Sequence, residues 1–282
     1  MKPERITACT HAAIDLHAAV HRLEVIPEGI DRMGQQIQLN TSRMQCIGAY
    51  VARAAGTPKG GLVIVQEIFG VTAHIRSVAD RFAEHGYTAI APAFFDHVES
   101  GLELGYDEAG SARGKQRVGE IGLDLAVEDV ASAAEAIASA GRIGCVGYCW
   151  GGTVAFLAAL RLGLPAVSYY GARNAKFLDE TPRAGYRQTT HADPSTDASP
   201  AQAAPWRGQI LQFHFGERDG SIPAEVVAQH RARLPAAEVY TYPAGHAFNR
   251  DVDPKVYDAA SANLALTRTL DFFDRHLAGA AA

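Results

Sequence analysis

Cysteine is scarce in this chain. The 282 residues carry four, at Cys9, Cys46, Cys145 and Cys149, with no C-x-x-C pair among them. That spacing speaks against a disulfide framework and a zinc site, and it suits a reducing compartment. Charge of one sign is also missing. The formal net charge is −5, which argues against nucleic acid or an anionic membrane as the main partner. No apolar run approaches the length of a membrane span, and the first residues have no apolar stretch of the kind that marks a signal peptide. The setting expected from this is the cytoplasm, with no membrane and no nucleic-acid partner, as a monomer or small homo-oligomer. What remains is an ordinary globular composition, 48% hydrophobic and 20% charged, long enough for one large α/β domain.

Glycine is where the pattern becomes specific. An apolar run ending at Gly147 reads as a buried strand, and Thr153–Leu160 reads as a helix. Between them Gly147, Cys149 and Gly151 reproduce the nucleophile-elbow pattern G-x-S-x-G with cysteine in the serine position. The glycines suit a turn in which strand and helix nearly touch, and the first amides of the helix favour a thiolate and an oxyanion.

Strand and helix patterns alternate along most of the remaining chain, which predicts a mostly parallel sheet with helices on both faces. Strands are expected over 45–53, 62–65, 87–92, 166–171, 209–216 and 239–242. Helices are expected around Ile75–Phe82, from Leu123 to Ile137, from Pro223 to Leu234, and from an N-cap at Asp253 and Pro254 to Leu277. Residues 1–32 read as an N-terminal extension of unclear role, with Met33 as a plausible true start. Residues 33–282 read as one domain, with a surface insertion at about 179–206 rich in Thr, Ser, Ala, Asp and Pro.

Asp219 and His246 each follow a predicted strand. The chain order Cys149, Asp219, His246 is nucleophile, acid, base, as in α/β-hydrolases. Cys149 would attack an acyl carbon, His246 would hold the thiolate and later activate water, and Asp219 would fix the imidazole tautomer. The oxyanion donors would be the backbone N–H groups of Trp150 and Ile68. Glu67, at the end of a buried strand, stands where α/β sheets place their ligands. His74, His85, His214 and His230 read as structural or exposed, and Arg76 and Arg81 as solvated. Tyr148, Tyr169 and Tyr170 could line a pocket, but core packing is the first reading.

Four stretches together resemble the dienelactone hydrolase family: Gln66 to Val71, Gly147 to Gly152, Phe215 to Asp219 with Ile222 and Pro223, and Ala244 to Phe248. The resemblance runs from about Met33 to Leu277, apart from the insertion. It implies an α/β-hydrolase fold and a cysteine hydrolase that opens a conjugated enol-lactone without a cofactor or metal. It gives Glu67 the task of taking the thiol proton when substrate binds. It makes Arg250 one of the arginines that grip the substrate carboxylate. The other falls in the loop after Pro92, where this chain has His97, close to Phe95. With histidine there, the substrate could be another lactone or small ester. A general carboxylesterase or thioesterase of the same fold is one alternative reading. A non-catalytic binding or redox-sensing protein is another.

Overall fold

Gly60–Val65, Tyr87–Pro92 and Ile143–Tyr148 are each buried along their whole length. Such continuous apolar runs form strands covered on both faces. In the computed structural model, which describes residues 34–180, 182 and 207–277, these are β3, β4 and β5 at the centre of an eight-stranded sheet. The described residues belong to one compact unit. The reading of residues 1–32 as an extension, and nearly all of the 179–206 insertion, lie outside the described residues.

The other strands are β1 (Gln35–Asn40), β2 (Cys46–Ala52), β6 (Ala166–Tyr169), β7 (Leu211–Gly216) and β8 (Glu238–Tyr242). Their order is β1-β2-β4-β3-β5-β6-β7-β8. β1 and β2 pair antiparallel, as do β2 and β4, and every other pair is parallel. The parallel strands therefore end at one edge, and the chain reverses direction about β3, where loops can converge on a ligand.

Helices cover both faces. They are α1 (Ala73–Glu84), α2 (Glu108–Ala136), α3 (Trp150–Leu162), α4 (Ala224–Arg233) and α5 (Ala259–Leu277). A Cβ at Gly144 would meet Phe273 of α5, whereas one at Gly147 would meet Gly151 of α3. Residues an odd number apart on a strand face opposite sides, so α5 and α3 flank the sheet from opposite faces. Phe82 of α1 packs edge-on to Phe273, which puts α1 with α5. In α1, His74, Ile75, Val78, Ala79 and Phe82 are buried at helical spacing. α3 is buried from Trp150 to Leu160 and carries no amphipathic stripe.

Two helix starts differ most from expectation, while several strand ends shift by one to a few residues. α2 starts at Glu108, well before Leu123, and bends at Gly122, whose φ of 74° is closed to most side chains. The short, polar first half, rich in glycine and charge, hides its helical period. The final helix starts at Ala259 instead of Asp253. Residues 250–257 are spent on turns, and the Asp258 carboxylate accepts from the Ser261 N–H at 2.8 Å, the work of a capping residue.

Candidate active site

Cys149 links β5 to α3 with φ 57° and ψ −114°, a backbone conformation that costs a non-glycine residue roughly 1–3 kcal/mol. Its surroundings impose this. A Cβ at Gly147 would run into the Gly151 carbonyl, and one at Gly151 into the backbone carbonyls of Val65 and Gln66. Helix α3 can thus start directly on the sheet. The Cys149 N–H donates to the Tyr169 carbonyl at 3.0 Å, tying the turn to the end of β6. The first amides of α3 lack intrahelical acceptors and lie next to the sulfur in sequence.

Two loops bring the partners. The His246 Nε2 is 3.2 Å from the Cys149 Sγ, and its Nδ1 is 2.6 Å from the Asp219 Oδ2. Asp219 is buried just past β7, and its Oδ1 accepts from the Ser221 N–H at 2.8 Å. With Nδ1–H committed to the carboxylate, Nε2 faces the sulfur as acceptor or, once protonated, as donor. Burial alone would lower the His246 pKa. The hydrogen bonds to Asp219 and Cys149 outweigh it and raise the value to about 10, so the ring is placed to hold a proton between the carboxylate and the sulfur.

Glu67 follows β3 and is buried. Its carboxylate faces Arg250, not the sulfur: Arg250 Nε donates to Oε2 at 3.0 Å and Nη2 to Oε1 at 2.9 Å. The other edge of the guanidinium reaches Asp253 at 3.4 Å. Its centre lies 5.0 Å from the Phe69 ring and 4.4 Å from the Tyr106 ring, and the Tyr106 hydroxyl pairs with that of Thr72 at 2.9 Å. Burial would lower the Arg250 pKa, but the Glu67 charge more than restores it. Beside this pair, Asp251 is held by His74 at 2.9 Å and Arg81 at 2.8 Å. Arg81 is therefore not simply solvated, as its place on α1 suggests.

The structure brings together Cys149, His246 and Asp219, and separately Glu67 and Arg250. It does not bring His97 to them. That residue lies in a short 3-10 turn, Phe94–His97. Its Nε2 meets the Asp129 Oδ2 at 2.7 Å and its Nδ1 the Gln45 Oε1 at 2.8 Å, and only 4% of its side chain is exposed. Both ring nitrogens are thus used, one of them in a buried pair with α2, which corrects the expectation that His97 binds a substrate carboxylate. Burial raises the Asp129 carboxyl to about 6 despite His97. Phe95 is buried in the core, and the neighbouring Phe94 is the one that packs on Trp150, 5.5 Å between ring centres. Ile68 follows Glu67, and its carbonyl is packed so tightly on α2 that only glycine fits at position 114.

Tyr170 is the residue that sequence reasoning undervalues. It is buried with φ 41°, its ring centre is 5.0 Å from that of His246, and its hydroxyl has no hydrogen-bond partner. The only signal in the sequence is its place at the end of a strand, which a core tyrosine shares. Among the described residues no group of His, Cys, Asp and Glu could hold a metal ion, and no helix is long and apolar enough to cross a membrane.

Comparison with known proteins agrees with this geometry. The profile of the dienelactone hydrolase family matches residues 47–277. A carboxymethylenebutenolidase of Pseudomonas putida is 31% identical over 235 residues, covering 80% of this chain and 89% of that protein. Carboxymethylenebutenolidase 1 of Cupriavidus pinatubonensis is 27% identical over 235 residues, 79% of this chain and 89% of that one. A crystal structure from Klebsiella pneumoniae, assigned as a dienelactone hydrolase, superposes with a TM-score of 0.63 at 28% identity over 85% of this chain and 98% of its own. With the family profile spanning most of the chain, an eight-stranded hydrolase sheet beneath it and the elbow at its centre, this protein belongs to the dienelactone hydrolase family, a hydrolase of ester or lactone bonds.

Proposed function

We propose that the protein opens lactones or small esters through a thioester on Cys149. The observation that carries this is the unbroken hydrogen-bonded line from Cys149 through His246 to Asp219, at 3.2 and 2.6 Å. His246 takes the thiol proton as sulfur attacks the acyl carbon, and the carbonyl electrons move onto oxygen. The backbone N–H groups of Trp150 and Ile68 receive that oxyanion. Collapse breaks the carbon–oxygen bond, and His246 returns the proton to the departing oxygen, which stays tethered if the substrate is a lactone. Water, deprotonated by His246, then attacks the thioester and frees the carboxylic acid and the thiol. Asp219 holds the tautomer throughout. Glu67, released from Arg250 as substrate binds, is the first acceptor of that same thiol proton and passes it on to His246. A thiol kept protonated until substrate arrives resists oxidation, and a thiol nucleophile fits the cytoplasm.

The relatives' name points to an enol-lactone bearing a carboxylate. A second reading is a general carboxylesterase or thioesterase, favoured by the removal of His97 into a buried pair. Hydrolysis of cis- and trans-dienelactone beside an uncharged aryl ester separates the two. Cys149→Ala is expected to abolish turnover of whichever substrate is used while leaving the circular dichroism spectrum unchanged. Retained turnover in that variant would place the nucleophile elsewhere.

A further inference from the structure

The loop of residues 249–257 carries Arg250 and closes mostly on itself. The Arg250 N–H donates to the Ala247 carbonyl at 2.9 Å, the Asp253 N–H to the Arg250 carbonyl at 3.1 Å, and the Asp258 N–H to the Phe248 carbonyl at 3.0 Å. Among the described residues, two side chains of this loop hydrogen-bond to other elements. Arg250 holds Glu67 beyond β3, and Asp251 holds α1. The first tie breaks when Glu67 leaves Arg250, and the second is then the one that remains.

That second tie is a clamp. His74 and Arg81 lie two turns apart on one face of α1. The His74 Nδ1 meets the Asp251 Oδ1 at 2.9 Å, and the Arg81 Nη2 donates to Oδ2 at 2.8 Å. One partner on each oxygen fixes the plane of the carboxylate as well as its place. His74 is committed to this bond: its side chain is 0% exposed, and its Nε2 has no partner, a cost that an ordinary surface pair does not carry. Burial alone would raise the Asp251 pKa, but His74 and Arg81 outweigh it and lower it. Helix α1 is a firm support, because it follows the Glu67 loop and buries Ile75, Val78, Ala79 and Phe82 in the core. The Asp251–Arg81 contact contributes little to stability, since the two side chains are 29% and 33% exposed and solvent screens them. What it fixes is position. The Arg81 charge also balances that of Asp251, so the clamp sets no unpaired anion beside Arg250.

We infer that Asp251 is a positioning residue: clamped by His74 and Arg81, it holds the Arg250 guanidinium in place when Glu67 lets go, so that a carboxylate of the substrate takes the place of Glu67 on it. This rests on the release of Glu67 and on the carboxylate-bearing substrate of the reading above. An Arg250 without Glu67 is a buried cation that needs an anion, and no other hydrogen-bonded side chain keeps its loop from following Glu67 away.

The trans-dienelactone and its methyl ester test it, because they share one ring and differ in one charge. In the wild-type protein kcat/KM for ring opening of the acid should exceed that of the methyl ester by roughly 20-fold or more, the worth of a charge-assisted bond. In Asp251→Asn that ratio should fall about tenfold. The loss should lie in KM for the acid, since a displaced cation weakens binding before it touches the chemistry. Arg81→Ala should lower the ratio in the same way, and the double variant should lower it no further than Asp251→Asn alone, because Arg81 acts through that carboxylate. Arg81→Lys, which keeps the charge, should restore most of it. An acid preference that survives Asp251→Asn overturns the inference, as does an equal loss on both substrates, which is the mark of a purely structural clamp. Additive effects of Arg81→Ala and Asp251→Asn overturn it too. If wild type shows no acid preference, or opens neither ring, Arg250 does not receive a carboxylate, and the reading falls together with the inference.

Discussion

Replacing Glu67 by glutamine removes a charge and leaves the shape. Its side chain and that of Arg250 are 1% and 8% exposed and meet through two hydrogen bonds at 2.9 and 3.0 Å. At an effective dielectric near 20, unit charges about 4 Å apart attract by roughly 4 kcal/mol. Removing one member of a buried pair costs about 3–5 kcal/mol, because the survivor stays desolvated. Here the introduced amide would still accept one hydrogen bond, and Asp253 would remain 3.4 Å from the guanidinium. The loss should therefore lie near the low end, about 3 kcal/mol. For a domain of this size that lowers the melting temperature by roughly 6–12 °C. Arg250→Met should cost more, about 4–5 kcal/mol, since Glu67 has no second cation to turn to. The double variant Glu67→Gln with Arg250→Met should then lose at least about 2 kcal/mol less than the sum of the singles. Urea unfolding of the four proteins near neutral pH measures all of this. Additivity within about 0.5 kcal/mol would refute the pair as a coupled unit. If Glu67 is also the first acceptor of the thiol proton, Glu67→Gln should slow turnover in the folded enzyme; wild-type rates would remove that role and leave the structural one.

His246, raised to about 10 from 6.5 by Asp219 and Cys149 against its burial, sets a pH dependence. A raised pKa means that the folded state holds a proton the unfolded chain has lost, so the contribution is full below about 6.5 and disappears as pH rises through about 10. Wild type should therefore lose stability relative to Cys149→Ala over that window, and parallel curves from denaturant melts would contradict it. His97→Ala should cost about 2–4 kcal/mol, because it strands the buried Asp129. It should also leave kcat/KM on a neutral aryl ester within about twofold, the tolerance of a residue outside the site. Lost activity with stability intact would return His97 to the site.

Local chemistry carried much of the site into the sequence. A glycine two places either side of Cys149 is demanded by backbone that would otherwise collide, so the elbow is legible without coordinates. The alternation of apolar runs and helical stripes is likewise local physics, which is why β3, β5 and α1 fall where their patterns predict. The order of Cys149, Asp219 and His246 with strand-end placement foretold their meeting, because parallel strands deliver their C-terminal loops to one edge. Other features depend on packing between distant segments, and no local pattern encodes them. Gly122 bends α2 within a polar stretch whose period is weak. His97 looks like a ligand-binding side chain until Asp129, from another element, takes its ring nitrogen. Glu67 stands at a strand end in the sequence, but only the approach of Arg250 from the other end of the chain turns its carboxylate away from the sulfur. Tyr170 reads as a core aromatic, and only the folded protein shows that its hydroxyl is left without a partner beside His246. Residue type and spacing establish which groups are available; which charges are spent on one another, and which donor stays free, is decided by long-range packing in a low-dielectric interior.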